Sequence, residues 1–295
     1  MHRSLACFVL ACLAWAGSGS ACAAESTEPA ATLYAKYAAL APALARNQFD
    51  RPLHLDSREA PDKLEGDVHA VVAYPFALVS DALDGPQRWC DILILHLNIK
   101  GCRVVAERSA SALRVSIGRK FDEPANAAHK VDFAYRLIAR ASDYFELSLN
   151  ADSGPFGTRD YRIIVEAVPV DQGRTFLHLS YAYGYGASAK LAMQTYLRTV
   201  GNQKVGFTAT GRAADGRPAL VGGLRGALER NVMRYYLAID AYLAALSAPA
   251  EDRLEERLRE WYEATERYSL QLHELDQDAY LEMKRRECAA EAAEQ

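Results

Sequence analysis

The sequence lacks a surplus of basic charge. Its 34 lysines and arginines are outnumbered by 38 aspartates and glutamates, a formal net charge of -4. It has no block of basic residues, so the electrostatic footprint of a nucleic-acid binder is missing and nucleic acid is not expected as a partner. Beyond Ala24 no apolar run approaches the ~20 residues that a membrane-spanning helix needs. The seven histidines are scattered, none four residues from another, which leaves a metal centre without its usual spacing. The three-glycine stretch ALVGGLRGAL has neither the Lys-Ser/Thr of a phosphate loop nor the spacing of a dinucleotide fingerprint. Its glycines predict close packing of a helix against a sheet. No internal repeat is visible, no nucleophile–base–orienter set is apparent, and no cofactor is expected.

What is present begins with MHRSLACFVLACLAWAGSGSACAA. A basic Arg3, an apolar run from Leu5 to Ala16 and a small-residue exit predict a secretory signal peptide over residues 1–24 and a periplasmic or secreted protein. A lipoprotein anchor on Cys22 is the alternative, although that signal usually wants Leu where Gly19 stands. Removal of the signal leaves Cys90, Cys102 and Cys288 of the six cysteines. An oxidising compartment favours a Cys90–Cys102 disulfide closing a short loop, with free thiols as the other reading. Zinc would require a fourth ligand beside His96 and the two cysteines, and none is near.

Residues 25–60 read as a linker with a short amphipathic helix (Leu33, Tyr37, Leu40, Leu44) interrupted near Pro42. LEGDVHAVVAY follows as an alternating strand. Pro75 starts a helix carrying Phe76, Val79, Ala82 and Leu83. Asp84-Gly85-Pro86 ends it, and a second short helix from Gln87 carries Trp89, Ile92 and Leu93. Six strand-like runs then occupy Cys102 to Gly186, separated by short turn-forming segments that favour an antiparallel meander. Alternation at Val131, Phe133, Tyr135 and Leu137, and at Phe145, Leu147 and Leu149, gives the sheet an apolar face that needs a cover.

The expected cover is the long periodic helix bearing Leu224, Leu228, Val232, Tyr235, Ile239, Tyr242 and Leu246, with Arg225, Arg230, Arg234 and Asp240 off its stripe. Those arginines fit either a solvated face or an anionic headgroup. Before it, a short helix near Lys190–Val200 and a brief strand over Lys204–Thr210 are predicted. After Pro249, a charged helical tail carries a narrow stripe at Leu254, Leu258, Trp261, Thr265, Tyr268, Leu272 and Leu275. That stripe predicts docking back onto the domain; an arm for an envelope protein partner through residues 250–295 is the second reading.

Strand, two short helices, antiparallel strands and one long amphipathic helix form an order that resembles the START-like helix-grip superfamily of lipid-transfer, polyketide cyclase-like and plant ligand-binding proteins. The resemblance rests on Gly66-Asp-Val-His-Ala-Val-Val, Tyr74-Pro-Phe, Asp84-Gly-Pro-Gln-Arg-Trp and the helix from Pro218 to Leu246, and covers residues 64–246. It implies an α+β fold over residues 61–248 in which a curved antiparallel sheet grips a long C-terminal helix. It also implies a cavity for a hydrophobic or amphipathic small molecule, including a lipid. Strand RTFLHLSYAYGYG would line such a cavity with Tyr181, Tyr183 and Tyr185 on one face and carry His178 on the other. Trp89 and His96 would cap its mouth, and Tyr135, Phe145 and Tyr235 complete the expected wall. Arg159, beside Asp160 in GPFGTRDYR, reads as a hairpin-turn ion pair and also as a candidate ligand contact. A cyclase- or hydrolase-like enzyme on the same scaffold would use Tyr181, Tyr183, His178 or Arg159.

Overall fold

The computed structural model describes residues 28–107, 110–121, 123, 127–199, 204–213 and 215–293. The expected signal peptide and Cys22 lie outside them. Eight strands form one curved antiparallel sheet: β1 (Leu53–Glu59), β2 (Lys63–Val72), β3 (Ile99–Glu107), β4 (Ala110–Ile117), β5 (His129–Arg140), β6 (Phe145–Ser153), β7 (Thr158–Pro169) and β8 (Thr175–Tyr185). Their order is β1-β2-β8-β7-β6-β5-β4-β3. The meander from β3 to β8 therefore closes against β2, and β1 adds an outer strand where the sequence predicts only linker. Short polar turns make this possible: Asp171 accepts a hydrogen bond from the Gly173 amide at 3.0 Å.

Two short helices, α2 (Phe76–Leu83) and α3 (Pro86–Leu93), join β2 to β3. Gly85 has a φ of 130° between them, a conformation that side chains other than glycine resist. The Cys90–Cys102 disulfide then ties α3 to β3, with a Cα–Cα distance of 5.1 Å. Helix α4 (Ala187–Thr199) and the small hairpin of β9 (Ala209–Arg212) and β10 (Pro218–Leu220) precede α5 (Gly223–Ala244). The predicted helix start at Pro218 is thus corrected: that segment pairs as a strand, and Gly223 turns the chain at a φ of 61°.

Helix α5 lies in the grip, across β1, β2 and β8. Gly66 on β2 permits the approach, since a Cβ there would come within 3.3 Å of Leu228 and Val232. The glycines of the α5 start do not meet the sheet; Gly226 packs on Val221 and Gly206 instead. Helix α1 (Glu28–Ala45) covers the convex side, where Ala30, Leu33 and Leu44 join Tyr144, Val168 and Phe176. It runs through Pro42 without the expected break. A proline this close to the C-terminal end removes one amide and leaves the remaining turns intact.

The tail folds back as α6 (Arg253–Glu266), α7 (Ser269–Leu272) and α8 (Gln277–Ala293). Leu258, Trp261, Thr265 and Leu272 are buried. Helix α6 lies along α5, and α8 lies against β3. This second cover corrects the view of α5 as having a solvated arginine face. Arg230 and Arg234 are 4% and 1% exposed. Arg234 donates to the Leu272 carbonyl at 3.1 Å and to Glu274 at 2.9 Å, and Arg230 donates to the Val205 carbonyl. They anchor neighbouring segments of the same chain. Among the described residues, no helix is long and apolar enough to cross a membrane.

Candidate functional site: an aromatic cavity with one unpaired imidazole

Between the sheet, the loop after α3 and helix α5 lies a cavity of about 160 Å³. The strands supply its apolar wall through Val115, Ile117, Phe133 and Ile163, and α3 adds Leu93. Pro155 and Phe156 from the β6–β7 turn and Met193 from α4 border it, with Phe156 held at a φ of 60° and 81% exposed. That pairing marks the mouth. Among the described residues, no lysine, arginine, aspartate or glutamate lines the cavity.

Its polar groups are few and neutral. Tyr181 and Tyr183 come from β8, Tyr161 and Thr158 from β7, Tyr235 and Asn231 from α5, and His96 and Asn98 from the loop before β3. The rings pack on one another: Tyr161 and Tyr183 stack with centroids 5.4 Å apart, and Tyr181 lies 5.3 Å from Tyr235. Tyr235 in turn stacks on His96 at 4.7 Å. Thr158 gives its only proton to the Pro155 carbonyl, which leaves its oxygen to accept from Tyr161. Burial raises the pKa of Tyr181, Tyr183 and Tyr235, so these phenols stay protonated donors.

His96 is the most informative group. The Asn98 amide donates to its Nδ1 at 3.1 Å. An amide is always the donor, so Nδ1 is unprotonated and the neutral ring carries its proton on Nε2. Nε2 is buried and has no hydrogen-bond partner among the described residues. Burial holds the imidazole well below its usual pKa, reinforced by the charges of Arg234, Lys284, Lys120 and Lys100. The ring at the cavity wall therefore carries a neutral N–H donor, buried among aromatic rings and out of reach of water. Among the described residues, no carboxylate lines the cavity to take a proton from a substrate.

No family model matches the chain, and no curated protein matches it. Solved structures with a similar chain path include a conserved protein from Geobacillus kaustophilus (14% identity over 61% of this chain and 95% of that one, TM-score 0.35). Norcoclaurine synthase from Thalictrum flavum, in complex with dopamine and hydroxybenzaldehyde, is 12% identical over 51% and 79% of the two chains, with a TM-score of 0.33. The Zhui aromatase/cyclase from Streptomyces sp. R1128 is 14% identical over 73% and 96%, with a TM-score of 0.30. Likenesses this distant carry no argument; the chain's own strand order and long helix do. The fold is an α+β helix-grip, a curved antiparallel sheet closed on one long helix.

Of the residues expected at the site, His96, Tyr181, Tyr183 and Tyr235 come together around the cavity. The other six lie elsewhere. Trp89 is buried beneath α2 and donates to the Leu83 carbonyl at 2.9 Å. Tyr135 accepts from the Gly85 amide at 2.8 Å, bracing the α2–α3 turn. Phe145 is core. Arg159 is half-exposed with Asp160 and Asp62. Tyr185 donates to the Ala60 carbonyl. His178 projects from the opposite face of β8, where Asp67 and Glu166 hold its two nitrogens at 2.9 and 2.8 Å. An enzymatic role for His178 or Arg159 thus has no support from the cavity's geometry.

Asn98, Thr158, Tyr161 and Asn231 line the cavity without having been singled out in the sequence. Two of them left a signal there. Asn231 is a polar residue at helical spacing between Leu228 and Tyr235, and Tyr161 shares the strand alternation of Ile163 and Val165.

Proposed function

We propose that this is an exported ligand-binding protein whose cavity takes one neutral, ring-sized, amphipathic molecule bearing an acceptor oxygen, a phenol or an aromatic aldehyde or ketone. The observation that carries this reading is the buried Nε2–H of His96, in the wall of an aromatic cavity, for which the described residues supply neither a hydrogen-bond partner nor a charged neighbour in the lining. A buried donor left unpaired costs about 1–3 kcal/mol, and a ligand oxygen would recover that. The volume of about 160 Å³ compares with the roughly 150 Å³ of an engineered cavity that takes up benzene. It suits one ring; a diacyl lipid asks for much more space. Export is supported by the apolar N-terminal segment and by the disulfide, which an oxidising compartment preserves.

Calorimetric titration with 4-hydroxybenzaldehyde, toluene, benzoate and benzylamine tests the reading. The aldehyde should bind best, toluene more weakly, and the two ions least, because nothing in the cavity pairs their charge. His96→Phe keeps a ring and removes the donor; it should weaken the aldehyde about tenfold while leaving toluene unchanged. Absence of binding by any ring compound, or equal aldehyde affinity in the variant, would overturn the proposal.

A further inference from the structure

The loop that presents His96 is held from outside the grip. Helix α8, at the far end of the chain, reaches its backbone through three hydrogen bonds. Tyr280 donates to the Leu95 carbonyl at 3.0 Å, and Lys284 donates to the carbonyls of His96 and Ile99, each at 2.8 Å. Lys284 is completely buried, as is Lys100, and Glu287 sits between them, accepting from Lys284 at 2.8 Å and from Lys100 at 2.9 Å. A buried ammonium spending its donors on two carbonyls of one tight turn is a costly arrangement for mere adhesion. An apolar pair of equal volume would glue α8 to β3 at least as well. What the lysine adds is direction, since its donors fix where the backbone of residues 96 and 99 stands.

That backbone decides the state of the imidazole. The Ile99 amide donates to the His96 carbonyl at 3.0 Å, closing the turn in which the Asn98 amide meets Nδ1. From these contacts we infer that the C-terminal tail is part of the binding site: Lys284, with Tyr280 beside it, is a positioning residue that locks the His96 turn. Through that turn it selects the Nε2–H tautomer of the buried ring. The inference rests on the proposed cavity function for its consequence in binding, but the lock itself is a property of the unliganded protein. The tail stripe that invites a partner in the sequence is consumed in building the site. The groups facing His96 agree with this arrangement, with Arg234 from α5, Lys284 from α8, Lys120 from the segment after β4 and Lys100 from β3 all disfavouring its protonation.

Nitrogen NMR of the full chain labelled with ¹⁵N-histidine reads the tautomer directly, with the His96 signals assigned by their loss in His96→Phe. The wild type should show a pure Nε2–H tautomer. Lys284→Met keeps the length of the side chain and removes the donors. It should shift His96 toward a mixture of tautomers and raise the Kd for 4-hydroxybenzaldehyde about five- to tenfold. Tyr280→Phe, which removes one hydroxyl, should do the same to a smaller degree and decides the matter if Lys284→Met does not fold. His178→Gln, destabilising from the other face of the sheet, should leave the His96 signals in place. An unchanged tautomer in the folded α8 variants overturns the inference, as does an equal shift in His178→Gln. Failure of the wild type to bind the aldehyde would remove the ligand reading alone, because the tautomer is measured without ligand.

Discussion

Two histidines stacked face to face show how sharply this sheet divides its chemistry. His69 and His178 lie opposite each other on β2 and β8 with ring centroids 4.2 Å apart. Burial opposes charge on both, yet only His178 has the carboxylates of Asp67 and Glu166, which overcome burial and raise its pKa to about 9. His69, buried beside that cation, falls to about 3. The sign for stability follows. A folded pKa of about 9 against the unfolded 6.5 stabilises the fold fully below pH 6.5, and the contribution is lost as pH rises through 9. Asp67 and Glu166 have lowered folded pKa values, so their part is lost instead as pH falls through the carboxylate range. His178→Gln should therefore cost about 2–4 kcal/mol near pH 6, with the deficit shrinking toward pH 10. Urea unfolding across that range measures it, and a deficit that grows with pH would refute the ion triad. The sequence places His178 on the face away from the tyrosines through simple alternation. It cannot show that β2 and β7 bring carboxylates to both ring nitrogens, because strand neighbours far apart in the chain leave no local trace.

At the scale of elements, the disulfide is the most economical device. It closes a 12-residue separation between α3 and β3, and it spans the loop that carries His96. Restricting an unfolded loop of that size contributes about 3 kcal/mol, so Cys90→Ala with Cys102→Ala should lower the urea midpoint accordingly. Reductant should move the wild type toward the same value and leave the double variant unaffected. A double variant as stable as the wild type would show that the loop is already ordered without the bond. The cysteine pair was legible because its short spacing is written in the chain. So were the paired short helices, the six-strand meander and the long helix, each marked by strong breakers and a clear period. Other features were set by neighbours. Leu137 continues the alternation of Val131 and Phe133 yet is 40% exposed, at the last pair before β5 shifts register against β6. Arg230 and Arg234 look like a solvated face until the segment at Val205 meets the first and the tail at Leu272 and Glu274 meets the second. Polar residues on a helix do not announce that a second layer supplies their partners.

At the scale of the molecule, the question is whether the tail is an appendage or a wall. One continuous hydrophobic core runs from Leu53 and Val68 through α5 to Leu258, Trp261, Leu272, Tyr280 and Met283. Each of those tail residues is at most 2% exposed, and a fully buried large side chain contributes about 1.5–3 kcal/mol. Together the five give about 8–15 kcal/mol before the entropy of ordering the segment, a sum as large as the whole net stability of an ordinary domain, about 5–15 kcal/mol. Charge makes the case stronger. Without the tail, Arg234 loses Glu274 and Lys100 loses Glu287, leaving cations on an apolar surface with no counter-charge. A chain ended at Ala248 should therefore not survive as a monomeric domain with the tail merely missing. It is expected to lose near-UV dichroism, show no cooperative urea transition and elute as aggregate. Trp261→Ala in the full chain should cost about 3–5 kcal/mol while keeping the fold. If the shortened chain instead unfolds cooperatively as a monomer, the helices after Pro249 are separable, and their stripe becomes available to a partner. The buried lysine network argues against that outcome. Residues 280 and 284 hold the turn on which His96 stands, so the end of this chain and the wall of its cavity are one piece of structure.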